Sequence, residues 1–164
     1  MGRKDTTEFT VSTNKRRLDR ELIYRFLTNS YWAKGIPGKT LERSIENSLC
    51  FGVYRKHEQV GFARVISDFA TYAYIGDVFV VEKFRGHGLG KLLMRRIMEH
   101  PDLQGLRRWS LVTRDAHGLY AQFGFQPVKS PERHMEIHDR EVYRVSGATD
   151  KKNADGRNSR QSPR

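Results

Sequence analysis

The sequence predicts one mixed α/β domain, a mostly antiparallel central sheet with helices on both faces. Three observations predict it. Strand-like runs crowd between Ser48 and Val81, the first two separated by the polar turn Lys56-His57-Glu58. A strand–helix–strand succession follows, from Tyr72 to Thr113. The 164 residues suit one compact domain, and a 37% hydrophobic content is enough for its core.

The elements follow in order. Phe9–Ser12 reads as a first strand. Asp19–Leu27 places Leu22, Ile23, Phe26 and Leu27 on one helical face. Asn29–Lys39 holds Tyr31, Trp32, Gly35, Pro37 and Gly38 and reads as a loop. Thr40 is placed to cap a second, short helix through Leu41 and Ile45. Ser48–Arg55, Gln59–Asp68 and Tyr72–Val81 are rich in β-branched and aromatic residues and read as strands. Leu89–His100 carries Leu92, Leu93, Ile97 and Met98 inward as a helix that Pro101 ends. Arg107–Thr113 is a strand, and Ala116–Phe123 a short helix closed by Gly124. Phe125–Val128 and Arg133–Ile137 read as two last strands. Residues 1–8 read as a flexible start. Residues 146–164 hold no large apolar side chain and read as a disordered basic tail.

The net charge is +11, part of it from Lys151, Lys152, Arg157, Arg160 and Arg164 in the tail. Such a surface suits an anionic ligand. It also admits a basic nucleic-acid-binding module, although charge alone argues weakly for one. Cys50, the single cysteine, permits no internal disulfide and fits a reducing compartment. Within Ser48–Tyr54 it reads as a small buried residue. No stretch has the length of a membrane span, and no signal-like apolar region opens the chain, so a cytoplasmic location without membrane attachment is expected. No His/Cys/Asp cluster has metal-ligand spacing.

The sharpest signal is Val78-Phe79-Val80-Val81 running into Arg85-Gly86-His87-Gly88-Leu89-Gly90-Lys91. A strand enters a glycine-rich turn and a helix leaves it. The first helical turn has N–H groups without partners and a partial positive charge, and the glycines let a phosphate approach them. The Walker pattern needs Ser or Thr after the Lys, but Leu92 follows Lys91. The dinucleotide pattern G-x-G-x-x-G does not fit glycines at 86, 88 and 90 after antiparallel strands.

Arg85-x-x-Gly88-x-Gly90, after a Val-rich strand and opening an amphipathic helix, resembles the coenzyme-binding motif of the GNAT N-acetyltransferases. Downstream, Ala116-His117-Gly118-Leu119-Tyr120-Ala121-Gln122-Phe123-Gly124-Phe125 is similar to that family's A-x-x-x-Y-x-x-x-G-F segment. The resemblance spans most of Phe9–Ile137. It implies an enzyme that transfers an acetyl group from acetyl-CoA to a primary amine by direct attack, without a metal. The backbone of Val78, Phe79 and Val80 would carry the pantetheine arm as an added strand, provided this strand splays from the one beginning at Arg107. The turn from Arg85 through Gly90, with Lys91 beside it, would hold the pyrophosphate. Tyr120 would return a proton to the leaving thiolate; a phenol with an ordinary pKa stays protonated at neutral pH. Many members carry Asn where this chain has Thr113, whose hydroxyl is a smaller polar group for the coenzyme arm. Members are often dimers, so a homodimer is an open possibility.

Asp77, a carboxylate on an otherwise apolar strand, is the candidate base; an Asp paired to an Arg is the structural alternative. Glu82 and His117 are poorer candidates, expected at the surface. Tyr31, Trp32, Phe69, Tyr72 and Tyr74 are candidate walls of the acceptor pocket, since aromatic faces hold alkylammonium groups; ordinary core packing accounts for some of them. Arg64 and Asp68 stand nearby as weaker polar candidates. A coenzyme-binding regulatory domain without turnover is the rival reading.

Overall fold

The computed structural model of the chain describes residues 8–145. The expected tail from Ser146 and, Glu8 apart, the expected loose start lie outside the described residues. Strands β1 (Phe9–Ser12), β2 (Leu49–Arg55), β3 (Glu58–Ser67), β4 (Tyr72–Val80) and β5 (Arg108–Leu111) lie side by side in chain order. Neighbours are antiparallel except β4 and β5, which run parallel. A parallel pair needs a crossover, and helix α3 (Leu89–Met98) supplies it. Helices α1 (Arg20–Thr28) and α2 (Gly38–Glu46) join β1 to β2, α4 (His117–Ala121) follows β5, and a short α5 (Val142–Val145) comes last.

Alternation along the strands divides the core in two. One face of the sheet sends Phe51, Val53, Val65 and Ile75 against Leu93, Met94 and Ile97 of α3. The other sends Cys50, Phe62 and Phe79 against Ile23, Leu27, Leu41 and Ile45 of α1 and α2. Each such side chain, fully buried, contributes roughly 1.5–3 kcal/mol. The side chain of Asp19 starts α1 by accepting the Leu22 N–H at 2.9 Å.

Three sequence expectations need correction. Helix α2 begins at Gly38: the Leu41 N–H already bonds the Pro37 carbonyl, so Thr40 lies inside the first turn and caps nothing. Strand β5 is shorter than expected, because β4 offers it partners only over Tyr72–Ile75. Neither Phe125–Val128 nor Arg133–Ile137 is a strand. Gly124, at φ +87, turns the chain, Pro127 lacks a ladder N–H, and Pro131 opens a single 3-10 turn through Arg133. Arg133–Ile137 has strand-like alternation but no ladder beside it among the described residues.

One irregularity shapes everything that follows. Phe62 pairs with Phe79 and Arg64 with Gly76, so Ala63 faces two residues, Asp77 and Val78. This is a β-bulge, and Asp77 sits in it at φ 54. The extra residue resets the alternation: Ala73 and Ile75 before it, and Val78 and Val80 after it, all pack on the α3 side.

Candidate active site

The glycine cradle is built from the end of β4, the glycine turn and the start of α3. A pocket of about 250 Å³ is lined there by residues that include Val80, Arg85, Gly86, Gly88, Lys91 and Leu119. Gly88 occupies the left-handed region at φ 80, where a side chain is strained, and directly precedes the helix. A Cβ on Gly90 would lie 3.2 Å from the Leu119 side chain, so the bare backbone lets α4 close on α3. The His87 ring is turned away from this role. Its Nδ1 stands 3.0 Å and 3.1 Å from the carbonyl oxygens of Phe84 and Arg85. Two acceptors fix that nitrogen as the donor, and the bond holds the turn.

β4 continues to Val80, but its ladder with β5 ends at the Ile75–Leu111 pair. β5 ends at Leu111, and among the described residues the edge of β4 from Gly76 to Val80 has no partner strand on the β5 side. Val78, Phe79 and Val80 lie on this stretch, with Phe79 anchored by a stacked Phe26 ring at 3.8 Å.

At the mouth of the wedge four elements meet. The Trp32 Nε1–H, from the loop after α1, donates to Asp77 Oδ1 at 3.2 Å. Arg64 Nε, from β3, donates to Asp77 Oδ2 at 2.7 Å, and Arg64 also donates to the Ser48 hydroxyl at 3.1 Å. The Arg64–Asp77 pair is mostly buried. The Tyr31 ring meets Trp32 edge-on at 4.9 Å and carries the Arg114 guanidinium 4.0 Å above its face. Tyr120, on α4, is buried with its ring against Phe125. Burial pushes the Tyr120 phenol above its ordinary value, and the neighbouring Tyr31, Tyr74 and Asp115 push in the same direction. Burial also raises Tyr74, with Asp77 adding to it.

The comparisons with known proteins match this architecture. The family model of the GNAT acetyltransferase domain matches residues 46–127, which run from the end of α2 past α4. A Gibberella zeae protein that carries the name acetyltransferase is 30% identical over 138 residues, 70% of this chain and 77% of that protein. The chain belongs to the GNAT acetyltransferase family. Its fold is also that of a Xanthomonas campestris pv. campestris protein of the GNAT family, 53% identical, with a TM-score of 0.80 over 82% of this chain and 96% of that one. A Clostridium acetobutylicum protein solved with acetyl-CoA shares the fold at 16% identity and a TM-score of 0.59, over 79% of this chain and 94% of that one. This acetyltransferase is therefore an acyl-transferring enzyme with the mixed sheet that its sequence predicts.

The structure gathers some of the candidate residues and separates others. Tyr31, Trp32, Tyr74, Asp77 and Tyr120 share the mouth of the wedge. Tyr72 lies five residues before Asp77 on β4, where its hydroxyl bonds that of Ser110 and its phenol neighbours Tyr74. Phe69 lies farther still, half exposed on the β3–β4 turn. Asp68 is committed to that same turn. It accepts from the Thr71 hydroxyl and from the N–H groups of Thr71, Ala70 and Tyr72, which together hold its carboxyl well below the usual range. The Thr113 hydroxyl accepts the Ala116 N–H at 3.0 Å and so closes the turn into α4. Glu82 and His117 are at the surface. Arg114 and the bulge at Asp77 went unnoticed in the sequence. Arg64, a weak candidate there, is the partner of Asp77, because the bulge brings the two together.

Among the described residues no group of three or more His, Cys, Asp or Glu could hold a metal, and no helix is long and apolar enough to cross a membrane.

Proposed function

We propose that this acetyltransferase moves the acetyl group of acetyl-CoA to a primary amine by direct attack, with Tyr120 as general acid. The observation that carries the proposal is the wedge between β4 and β5. It opens beside the glycine cradle at one end and beside Tyr120 at the other, with Leu119 lining the cradle and its neighbour Tyr120 close to Tyr31 and Tyr74.

Acetyl-CoA, when bound, supplies a thioester carbonyl open to an amine. The chain's own groups do the rest. Backbone N–H groups from His87 to Gly90, with Lys91 at the lip, suit a pyrophosphate: Gly88 puts no side chain in the way and the helix start favours an anion, while the Arg85 N–H is held by the Glu82 carbonyl at 3.0 Å. The free edge of β4 over Val78–Val80 can carry the pantetheine arm as an added strand. An N–H of that edge meets charge developing on the carbonyl oxygen. Tyr120 remains protonated through neutral pH, because burial raises its pKa, and it donates to the departing sulfur. Both oxygens of Asp77 already accept hydrogen bonds. We assign Asp77 first to positioning Trp32 and Arg64, and second to receiving the proton of the amine through its remaining lone pairs. Tyr31, Trp32 and Tyr74 wall the acceptor end, where the aromatic faces suit an alkylammonium.

Turnover of acetyl-CoA across small amines, amino acids, aminoglycosides and lysine peptides, followed by release of free thiol, tests this reading. We expect release with at least one class. Binding of acetyl-CoA with no release from any class would instead mark a regulatory coenzyme-binding domain. Cys50 will not disturb the assay: burial pushes its thiol up to about 11, so little reactive thiolate forms.

A further inference from the structure

We infer that Ser48 is a positioning residue for the acceptor end, acting through Arg64 on the Asp77 carboxylate. The inference rests on the reading that Asp77 and Trp32 serve the acceptor amine. Among the described residues the buried polar side chains are Ser30, Ser48 and Gln59. Two of them join backbone to backbone. The Ser30 hydroxyl donates to the Leu27 carbonyl and accepts the Ala33 N–H, while Gln59 accepts the Asp19 N–H and donates to the Gly61 carbonyl. Ser48 differs, because it joins backbone to a charged side chain of the site.

The Ser48 hydroxyl donates to the Ser44 carbonyl at 2.7 Å, an oxygen in the last turn of α2. With its proton committed there, the Ser48 oxygen offers lone pairs to Arg64, whose Nη1 donates to it at 3.1 Å. The same guanidinium gives its Nε–H to Asp77 Oδ2 at 2.7 Å, and the Trp32 indole N–H reaches Asp77 Oδ1 at 3.2 Å. One hydrogen-bond chain thus runs from the backbone of α2 to the indole at the acceptor end. A guanidinium is planar and rigid, so two contacts fix its plane where one would let it swing about that bond. The Arg64 and Asp77 side chains are only 17% and 11% exposed, so little water is at hand to replace a lost partner. Asp77 also sits in the bulge at φ 54, where side-chain bonds rather than a regular ladder set the direction of its carboxylate. Without the Ser48 oxygen the fork tilts, and Asp77 and Trp32 turn with it. The structural alternative is that the hydroxyl serves only the last turn of α2.

Nitrogen–proton correlation spectra test the coupling without any acceptor. The chain has two tryptophans, so it gives two indole N–H signals, which Trp109→Phe assigns. Ser48→Ala should move the Trp32 signal. Ser48→Thr, which keeps the hydroxyl, should return it towards the parent position, whereas Ser48→Val, with the shape of Thr and no hydroxyl, should leave it displaced. Kinetics use the amine that releases most thiol in the acceptor screen. Ala and Val should raise the KM for that amine by about two- to tenfold, with kcat and the KM for acetyl-CoA held. In an Arg64→Met, Asp77→Leu background, Ser48→Ala should add nothing further. A lower melting temperature with the Trp32 signal and the amine KM unmoved would overturn the inference, since that is what service to α2 alone predicts. Equal behaviour of Thr and Val, or a further rise in the double-variant background, would overturn it too. If the Arg64→Met, Asp77→Leu protein itself keeps the parent amine KM, the acceptor-end reading fails and takes the inference with it.

Discussion

The glycine cradle and the proposed acceptor end around Asp77 are built in different ways. The cradle is local. Val80 to Lys91 is a continuous stretch, and the recognition groups proposed there are backbone N–H donors at the start of α3. The acceptor end is assembled. Tyr31 and Trp32 come from the loop after α1, Arg64 from β3, Asp77 from a bulge in β4 and Tyr120 from α4. The difference teaches where each part is vulnerable. The cradle fails when a side chain appears in it, whereas the acceptor end fails when a contact between elements is lost.

The largest effect should come from breaking the cradle. Gly88→Asp places a carboxylate at the phosphate position, on a residue whose φ of 80 costs a side chain roughly 1–2 kcal/mol. Acetyl-CoA should then no longer raise the melting temperature, while the apo protein melts only slightly lower. Normal stabilisation by acetyl-CoA would move the site elsewhere.

Tyr120→Phe comes next and separates chemistry from binding. It keeps the ring against Phe125 and removes only the proton. The value of kcat should fall by about 10²- to 10⁴-fold, with acetyl-CoA affinity unchanged. The sign of the pH effect follows from the raised phenol. In the parent enzyme kcat should hold through neutral pH and fall only on the alkaline side, as the phenol ionises above its ordinary value. The Phe variant should lack that alkaline fall. A full-rate variant, or one that merely melts earlier, would remove the general acid.

At the assembled end, Asp77→Ala leaves the Arg64 guanidinium mostly buried without its partner. We expect a loss of about 1.5–3 kcal/mol in stability and a rise in the KM for the amine larger than that for acetyl-CoA. A double variant Arg64→Met with Asp77→Leu should recover much of the stability but not the amine KM. If it recovered both, the pair would have no part in the acceptor site. The smallest effect concerns Cys50. At pH 8 the folded enzyme should take up almost no iodoacetamide, and the unfolded chain should react fully. Rapid labelling of the native protein would show that this part of the core opens.

What could be read without coordinates follows the same division. The strands from β1 to β4, the helices α1 and α3, and the glycine cradle all rest on short-range patterns: alternation, helical spacing, and Gly86-His87-Gly88-Leu89-Gly90 placed after a strand. These signals stay within a dozen residues, so the sequence by itself determined them. The A-x-x-x-Y-x-x-x-G-F resemblance singled out Tyr120, which the structure buries near Tyr31 and Tyr74. The start of α2 was misread because Pro37 serves as the cap without a side-chain bond, which the more familiar Thr40 concealed. The strands expected after Gly124 failed for a deeper reason. Alternation in Arg133–Ile137 marks a segment able to pair, but pairing requires a neighbour within reach, and no local pattern encodes one.

The tertiary structure alone decided the bulge at Asp77 and therefore everything that meets there. Its position depends on the register between β3 and β4, a relation between residues twelve to seventeen apart along the chain at the bulge. That register turns Asp77 toward Arg64 and Trp32 and sends Val78 and Val80 to the α3 face. It also decided that the Tyr72 hydroxyl turns to Ser110 and that Phe69 stands half exposed on the β3–β4 turn. A sequence fixes which groups can pair. The packing of both faces of the sheet selects which of them do, because only one register buries both hydrophobic clusters together.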